Sequence, residues 1–209
     1  TINLTRFFRD ASTFQSLEEK FLPELLRSRQ AARRLRAWSA GCAAGEEPYS
    51  LAILLRDILG PALRQWQLQI LATDVDEGAL NSAREGLYTS SSFQGMESRY
   101  LPWIERYFSP GPQRQLSSEV RAMVSFQHHD LTRNPPPQEL DLLLCRNVLI
   151  YFDHALQDRL YQGFFQSLRG GGLLVLGKTE MLPMPRSGQF EPVDLREHIY
   201  RRKSDEERG

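Results

Sequence analysis

The stretch R-A-W-S-A-G-C-A-A-G-E-E-P-Y-S-L-A-I-L-L-R-D, Arg36 to Asp57, constrains the fold more than any other part of this chain. Arg36 to Ala40 is a short run suited to a buried strand. A turn of small residues, Gly41-Cys42-Ala43-Ala44-Gly45, follows it. The chain then takes on helical character. Glu46 and Glu47 stand in a first turn, Pro48 sits where a missing N–H does no harm, and Leu51, Ala52, Leu54 and Leu55 supply an apolar run. A strand, a glycine turn and a helix bring a ligand close to backbone N–H groups at a helix N-terminus. Two acids in the mouth of such a loop repel a pyrophosphate and favour a cationic or zwitterionic ligand. S-adenosylmethionine, with a positive α-amino group and sulfonium, is a ligand of that kind.

The remaining chain extends the pattern. Leu68 to Thr73 reads as a second strand ending at Asp74, where a carboxylate can accept both ribose hydroxyls of an adenosine ligand. Glu77 to Arg84 reads as a short helix closed by Gly86. Met123 to Gln127 is a third strand, with Asp130 just past it on the same rim, placed to accept from the exocyclic amine of adenine. Asp141 to Cys145 is a continuous apolar strand running into Arg146 and Asn147. A helix is expected from Asp153 or His154 through Leu168, ended by Gly170-Gly171-Gly172, with a strand over Leu173 to Gly177. Phe190–Val193 and His198–Arg202 read as the closing strand segment, antiparallel because no helix separates it from the strand before. At the front, Thr5 is expected to cap a short helix carrying Phe7 and Phe8. Phe14, Leu17, Phe21, Leu22, Leu25 and Leu26 recur at helical spacing, with Pro23 kinking or restarting that helix.

The expected organisation is therefore an α/β domain at 36–202 with a small insertion at about 109–126. A helical segment and linker at 1–35 precede it and contribute to the site, and 203–209 form a disordered tail. The 209 residues suffice for one such core. With 26 basic and 26 acidic residues, the charge balance recommends neither nucleic acid nor an acidic membrane as partner. The five arginines between Arg27 and Arg36 read as a solvated helix end. Cys42 and Cys145 are expected to be free thiols in a reducing cytoplasm. No apolar run reaches membrane-spanning length and no signal peptide is evident, so a soluble, intracellular monomer is expected. Adjacent histidines, His128 and His129, point to opposite faces of a strand and do not suggest a shared metal.

Four segments, N-L-T-R-F-F-R-D, W-S-A-G-C-A-A-G-E-E-P-Y-S-L-A, A-T-D-V-D and L-C-R-N-V-L-I-Y-F, closely resemble the CheR family, the chemoreceptor glutamate O-methyltransferases. The likeness runs from Asn3 to about Tyr200. It implies a class I S-adenosylmethionine-dependent methyltransferase fold, Rossmann-like, with a mostly parallel seven-stranded sheet and an antiparallel last strand. It also implies cytoplasmic helices of chemoreceptors as substrate and partner. By the family pattern Asn3, Thr5, Arg9, Gly41, Glu47, Asp74, Asp130, Leu131, Arg146 and Asn147 surround the cofactor, and Arg9 and Tyr151 lie beside the reacting methyl group. Three features depart from the family pattern. The helical domain that precedes N-L-T-R-F-F-R in the family lies outside this sequence, Ala43-Ala44 lacks a hydroxyl often found in the loop, and the insertion reads as shorter than in members that dock on a receptor's C-terminal peptide. Asp130 stands where asparagine is frequent and keeps the acceptor. Two other readings compete: a non-catalytic module that binds the cofactor as sensor or scaffold, and a nicotinamide oxidoreductase, which Glu46-Glu47 contradicts.

Overall fold

A computed structural model describes residues 5–182 and 188–204. Asn3 and the tail beyond Ser204 lie outside the described residues. The chain opens with α1 (Ala11–Ser16), one π-helical stretch (Leu17–Phe21) and α2 (Leu22–Ser28). Pro23 sits in the first turn of α2, and the wider π turn ahead of it absorbs the missing donor, so the helix restarts without breaking. The apolar stripe from Phe14 to Leu26 is buried throughout.

Next come β1 (Arg34–Ala40), α3 (Glu46–Leu59), β2 (Gln67–Asp74), α4 (Glu77–Glu85), β3 (Leu87–Thr89), α5 (Leu101–Tyr107), β4 (Gln113–Gln115), α6 (Ser118–Arg121) and β5 (Val124–His128). The chain closes with β6 (Leu140–Cys145), α7 (His154–Ser167), β7 (Leu168–Leu176), β8 (Phe190–Asp194) and β9 (Ile199–Arg202). Seven strands make one sheet in the order β5-β2-β1-β6-β7-β9-β8, and β3 pairs with β4 in a separate antiparallel ribbon. β5, β2, β1, β6 and β7 are parallel neighbours, whereas β9 runs antiparallel to both β7 and β8.

Strand order reverses between β1 and β6, which places a crevice above their C-terminal ends. β6 explains why that crevice has a firm floor. All six of its residues are buried; beyond the register shift after Leu140, Leu142 and Leu144 enter the cluster shared with α1 to α3, and Leu143 and Cys145 the cluster shared with α7. The period of two sends alternate side chains to opposite faces, as a strand covered on both sides requires.

Two sequence expectations are corrected. No helix forms over Thr5 to Asp10; Phe7 and Phe8 are buried in a non-helical turn, with Phe8 at φ 52° and Asp10 at φ 57°. The turn sends the two rings apart. Phe7 packs on Tyr88, Phe93 and Phe108, and Phe8 packs on Phe14 and Tyr100. The glycine run does not end α7 and precede a strand. β7 begins at Leu168 and runs through Gly170–Gly172, whose extra residues bulge where Leu140 pairs with Leu168 and Leu142 with Leu173.

α1 is locked to the β8–β9 turn through Glu197, which is 3% exposed and accepts from Thr13 Oγ1 at 2.7 Å, Ser12 Oγ at 3.0 Å and Lys178 Nζ at 2.5 Å. Burial works to push its carboxyl up, but the hydrogen bonds from Lys178, Thr13 and Ser12 outweigh it and hold the group below its ordinary value of 4.5. A carboxyl lowered in the folded state contributes stability above the unfolded value and loses it as pH falls through the folded one. Acidification from about pH 4.5 downward is therefore expected to lower the wild-type urea midpoint more steeply than that of Glu197→Gln. Parallel curves for the two proteins would remove this role.

Candidate active site

A cavity of about 360 Å³ opens above the ends of β1, β2 and β6. Thr5, Arg9, Gly41, Glu47, Asp74, Asp130, Leu131, Arg146, Asn147 and Tyr151 all line it, so the structure brings every described candidate residue to one site. The helical expectation for Glu46-Glu47 needs refinement. Glu47 lines the cavity, but Glu46, about 100° further back on the helix, turns inward to accept from Ser92 Oγ at 3.0 Å. Glu46 is 3% exposed, and burial pushes its carboxyl up.

Arg146 ties the site together. Its side chain is 2% exposed; Nη1 donates to Glu47 Oε2 at 3.2 Å, and Nη2 donates to Asp10 Oδ2 and to the Arg9 carbonyl, both at 2.8 Å. The guanidinium also lies over the Phe14 ring, 5.3 Å from its centre. Glu47 Oε1 accepts from Ser39 Oγ at 2.7 Å. Burial pushes the Glu47 carboxyl up, and the Arg146 charge opposes that rise. One buried cation thus joins the N-terminal segment, the start of α3 and the end of β6.

Asp74 ends β2 with both oxygens oriented by backbone: Oδ2 accepts from Ala43 N at 2.8 Å and Oδ1 from Asp76 N at 2.9 Å. Each oxygen keeps acceptor capacity for a ligand hydroxyl. Asp130 Oδ1 accepts from Thr132 Oγ1 at 2.7 Å and Thr132 N at 2.8 Å. The hydroxyl and the N–H hold its carboxyl below the usual range. Gly41, at φ 74°, must lack a side chain, since a Cβ there would run into the Val148 side chain.

Sequence reasoning missed two residues that brace this site from outside the cavity lining, one on Arg146 and one on the Asn147 backbone. Asp10 stood inside the N-L-T-R-F-F-R-D segment without a role, and its pairing partner lies 136 residues away. Glu180 carried no signal beyond being an acid shortly after a strand. His129 does line the cavity, with its ring against Trp38 at 5.5 Å, and burial pushes its pKa down. Among the described residues no three metal-ligating side chains cluster. Cys42 and Cys145 are both buried and free. No helix of the described residues is long and apolar enough to cross a membrane.

The site fits a nucleoside ligand that carries positive charge. Its volume lies in the range of about 300–1,000 Å³ usual for small-molecule sites. The paired acceptor Asp74, the acids Glu47 and Asp130, and the apolar walls from Val75, Leu131, Val148 and Phe152 match a ribose, a cation and an adenine face. The strand order and this crevice define a class I methyltransferase domain. Residues 3–199 match the family described as CheR methyltransferase, SAM binding domain, and the chain belongs to that family. S-adenosylmethionine is accordingly its cofactor.

A chemotaxis protein methyltransferase of Listeria monocytogenes is 36% identical over 187 residues, covering 88% of this chain and 68% of that protein. A chemotaxis protein methyltransferase 2 of Vibrio cholerae is 35% identical over 187 residues, covering 87% and 63%. An uncharacterized 104.1 kDa protein of Rhodobacter capsulatus is 36% identical over 200 residues, covering 95% of this chain but 21% of its own length. The chain therefore spans between a fifth and about two thirds of these relatives.

Proposed function

We propose that this domain methylates glutamate side chains in the cytoplasmic helical region of chemoreceptors, acting as a monomeric, cytoplasmic protein-glutamate O-methyltransferase. The chemotaxis methyltransferases among its relatives support the pathway. The observation that carries the reading is the contrast across the cavity. Asp74 and Arg146 are buried in its depth, while Tyr151 is 61% exposed at its mouth beside Ile150. A protein side chain can reach that rim without entering far.

S-adenosylmethionine supplies a methyl group on a sulfonium, a strong leaving group. A glutamate carboxylate is ionised at neutral pH, so the site needs no general base. Its tasks are alignment and exclusion of water. In this reading Asp74 takes the ribose hydroxyls, and Glu47, held by Ser39 and Arg146, faces the cationic amino-acid end. Asn3, Thr5, Gly41, Asp130, Leu131, Arg146 and Asn147 complete the enclosure. Arg9 holds the acceptor carboxylate, and the Tyr151 hydroxyl steers it.

Incubation of the protein with purified receptor cytoplasmic fragments and methyl-labelled cofactor tests the assignment. The expected product is a base-labile ester on glutamate, mapped by mass spectrometry. Cofactor binding without any ester on receptor fragments would favour a sensor or scaffold instead. Arg9→Ala is expected to lower kcat by about a hundredfold with the fold intact by circular dichroism. Wild-type turnover in that variant would sink the role of Arg9.

A further inference from the structure

The geometry points to Glu180 as the positioning residue of the acceptor side of the site, an inference that rests on the proposed methyl transfer. Glu180 is 4% exposed and is not among the cavity-lining residues. Its carboxylate nevertheless collects four backbone N–H groups. Oε1 accepts from Val148 N and Leu149 N, each at 2.8 Å, and Oε2 from Asn147 N at 2.8 Å and Gly177 N at 2.7 Å. Three consecutive N–H groups turned to one side form a concave anion site, and here the chain fills it with its own side chain.

That arrangement decides how the chain leaves β6. Asn147 takes φ 60°, a left-handed conformation that turns the following donors inward. Val148 is then pressed against Gly41 of the cofactor loop, and Ile150 and Tyr151 are carried to the cavity mouth. The clasp is closed from the other side by Gly177. A Cβ there would lie 2.7 Å from Glu180 Oε2 and 2.8 Å from Asn147 N. The Glu180 carbonyl is in turn engaged by His198 Nδ1, which joins the clasp to the turn before β9. Glu180 therefore sets the position of Tyr151 while touching neither cofactor nor substrate.

An amide cannot replace this acceptor. In either orientation, the Glu180→Gln side chain turns an NH₂ toward two N–H donors. Hydrogen exchange in Glu180→Gln is expected to speed up at Asn147, Val148, Leu149 and Gly177, while Leu142 to Leu144 of β6 stay slow. kcat on a receptor fragment is expected to fall about a hundredfold. Affinity for S-adenosylhomocysteine should change far less, because Glu47 and Asp74 stand on other elements. Glu180→Asp, which keeps the carboxylate, should recover part of kcat. Retained protection at the four amides, or their loss with wild-type kcat, overturns the proposal. Should Glu180→Gln not fold, Gly177→Ala makes the same test from the opposite side, and unchanged exchange and turnover there would equally overturn it. If the wild-type protein forms no glutamate ester, methyl transfer to receptors is withdrawn. The exchange pattern alone then decides whether Glu180 holds the loop.

Discussion

The Asp74→Ala protein is expected to bind S-adenosylhomocysteine at least about a hundredfold more weakly than wild type. Asp74 is 8% exposed, and its two oxygens are aimed by the N–H groups of Ala43 and Asp76. The ligand finds the acceptors already oriented, so little ordering entropy is lost on binding. Two hydrogen bonds to a charged acceptor contribute about 1.5–3 kcal/mol each, and every 1.4 kcal/mol is about tenfold in affinity. Calorimetry measures the loss directly. A thermal-shift series gives a second reading: ligand at about 100 times Kd stabilises wild type by about 2.7 kcal/mol, and that gain should vanish in the variant. Asp74→Asn, which keeps one acceptor oxygen, should fall between the two. Equal affinity in Asp74→Ala would mean that the cofactor lies elsewhere.

Arg146→Ala should cause the largest loss of stability. The guanidinium is almost wholly buried, and it neutralises Glu47 and Asp10, whose side chains are 14% and 27% exposed. Removing one partner of a buried charge cluster costs about 3–5 kcal/mol. For a chain of this length that corresponds to a drop of about 6–20 °C in Tm. With its main opposing charge gone, the Glu47 carboxyl rises further above the ordinary range, so the variant should lose more stability as pH climbs. Arg146→Lys restores a charge but not the two-sided grip and should recover only part of the loss. A wild-type urea midpoint in Arg146→Ala would show that Asp10 and Glu47 do not depend on it.

Much of the fold was legible because its signals are short in sequence. The strand, glycine turn and acidic helix start at 36–57, the acid closing β2, the unbroken apolar β6 and the start of α7 at Asp153 or His154 each depend on residues a few positions apart. Asp153 accepts from Leu156 N at 2.8 Å, a contact three residues long. Patterns of that reach are encoded by helix and strand periods alone. Phe7 and Phe8 failed the same treatment because the partners that pull their rings apart, such as Phe108 and Tyr100, come from the two ends of α5, some 90 to 100 residues along the chain. The glycine run after α7 was misread as a stop because its role depends on the register against Leu140 and Leu142 of the neighbouring strand.

By itself, then, the sequence determined the α/β class, the strand ends that rim the cavity and the residues offered there. Tertiary structure alone decided how those residues are held. Arg146 meets Glu47 across 99 residues and Asp10 across 136, and Glu180 reaches Asn147 across 33. A buried cation or carboxylate is tolerated only where its partners converge from several elements. That convergence is a property of the closed sheet and its crevice, and no local spacing in the chain encodes it.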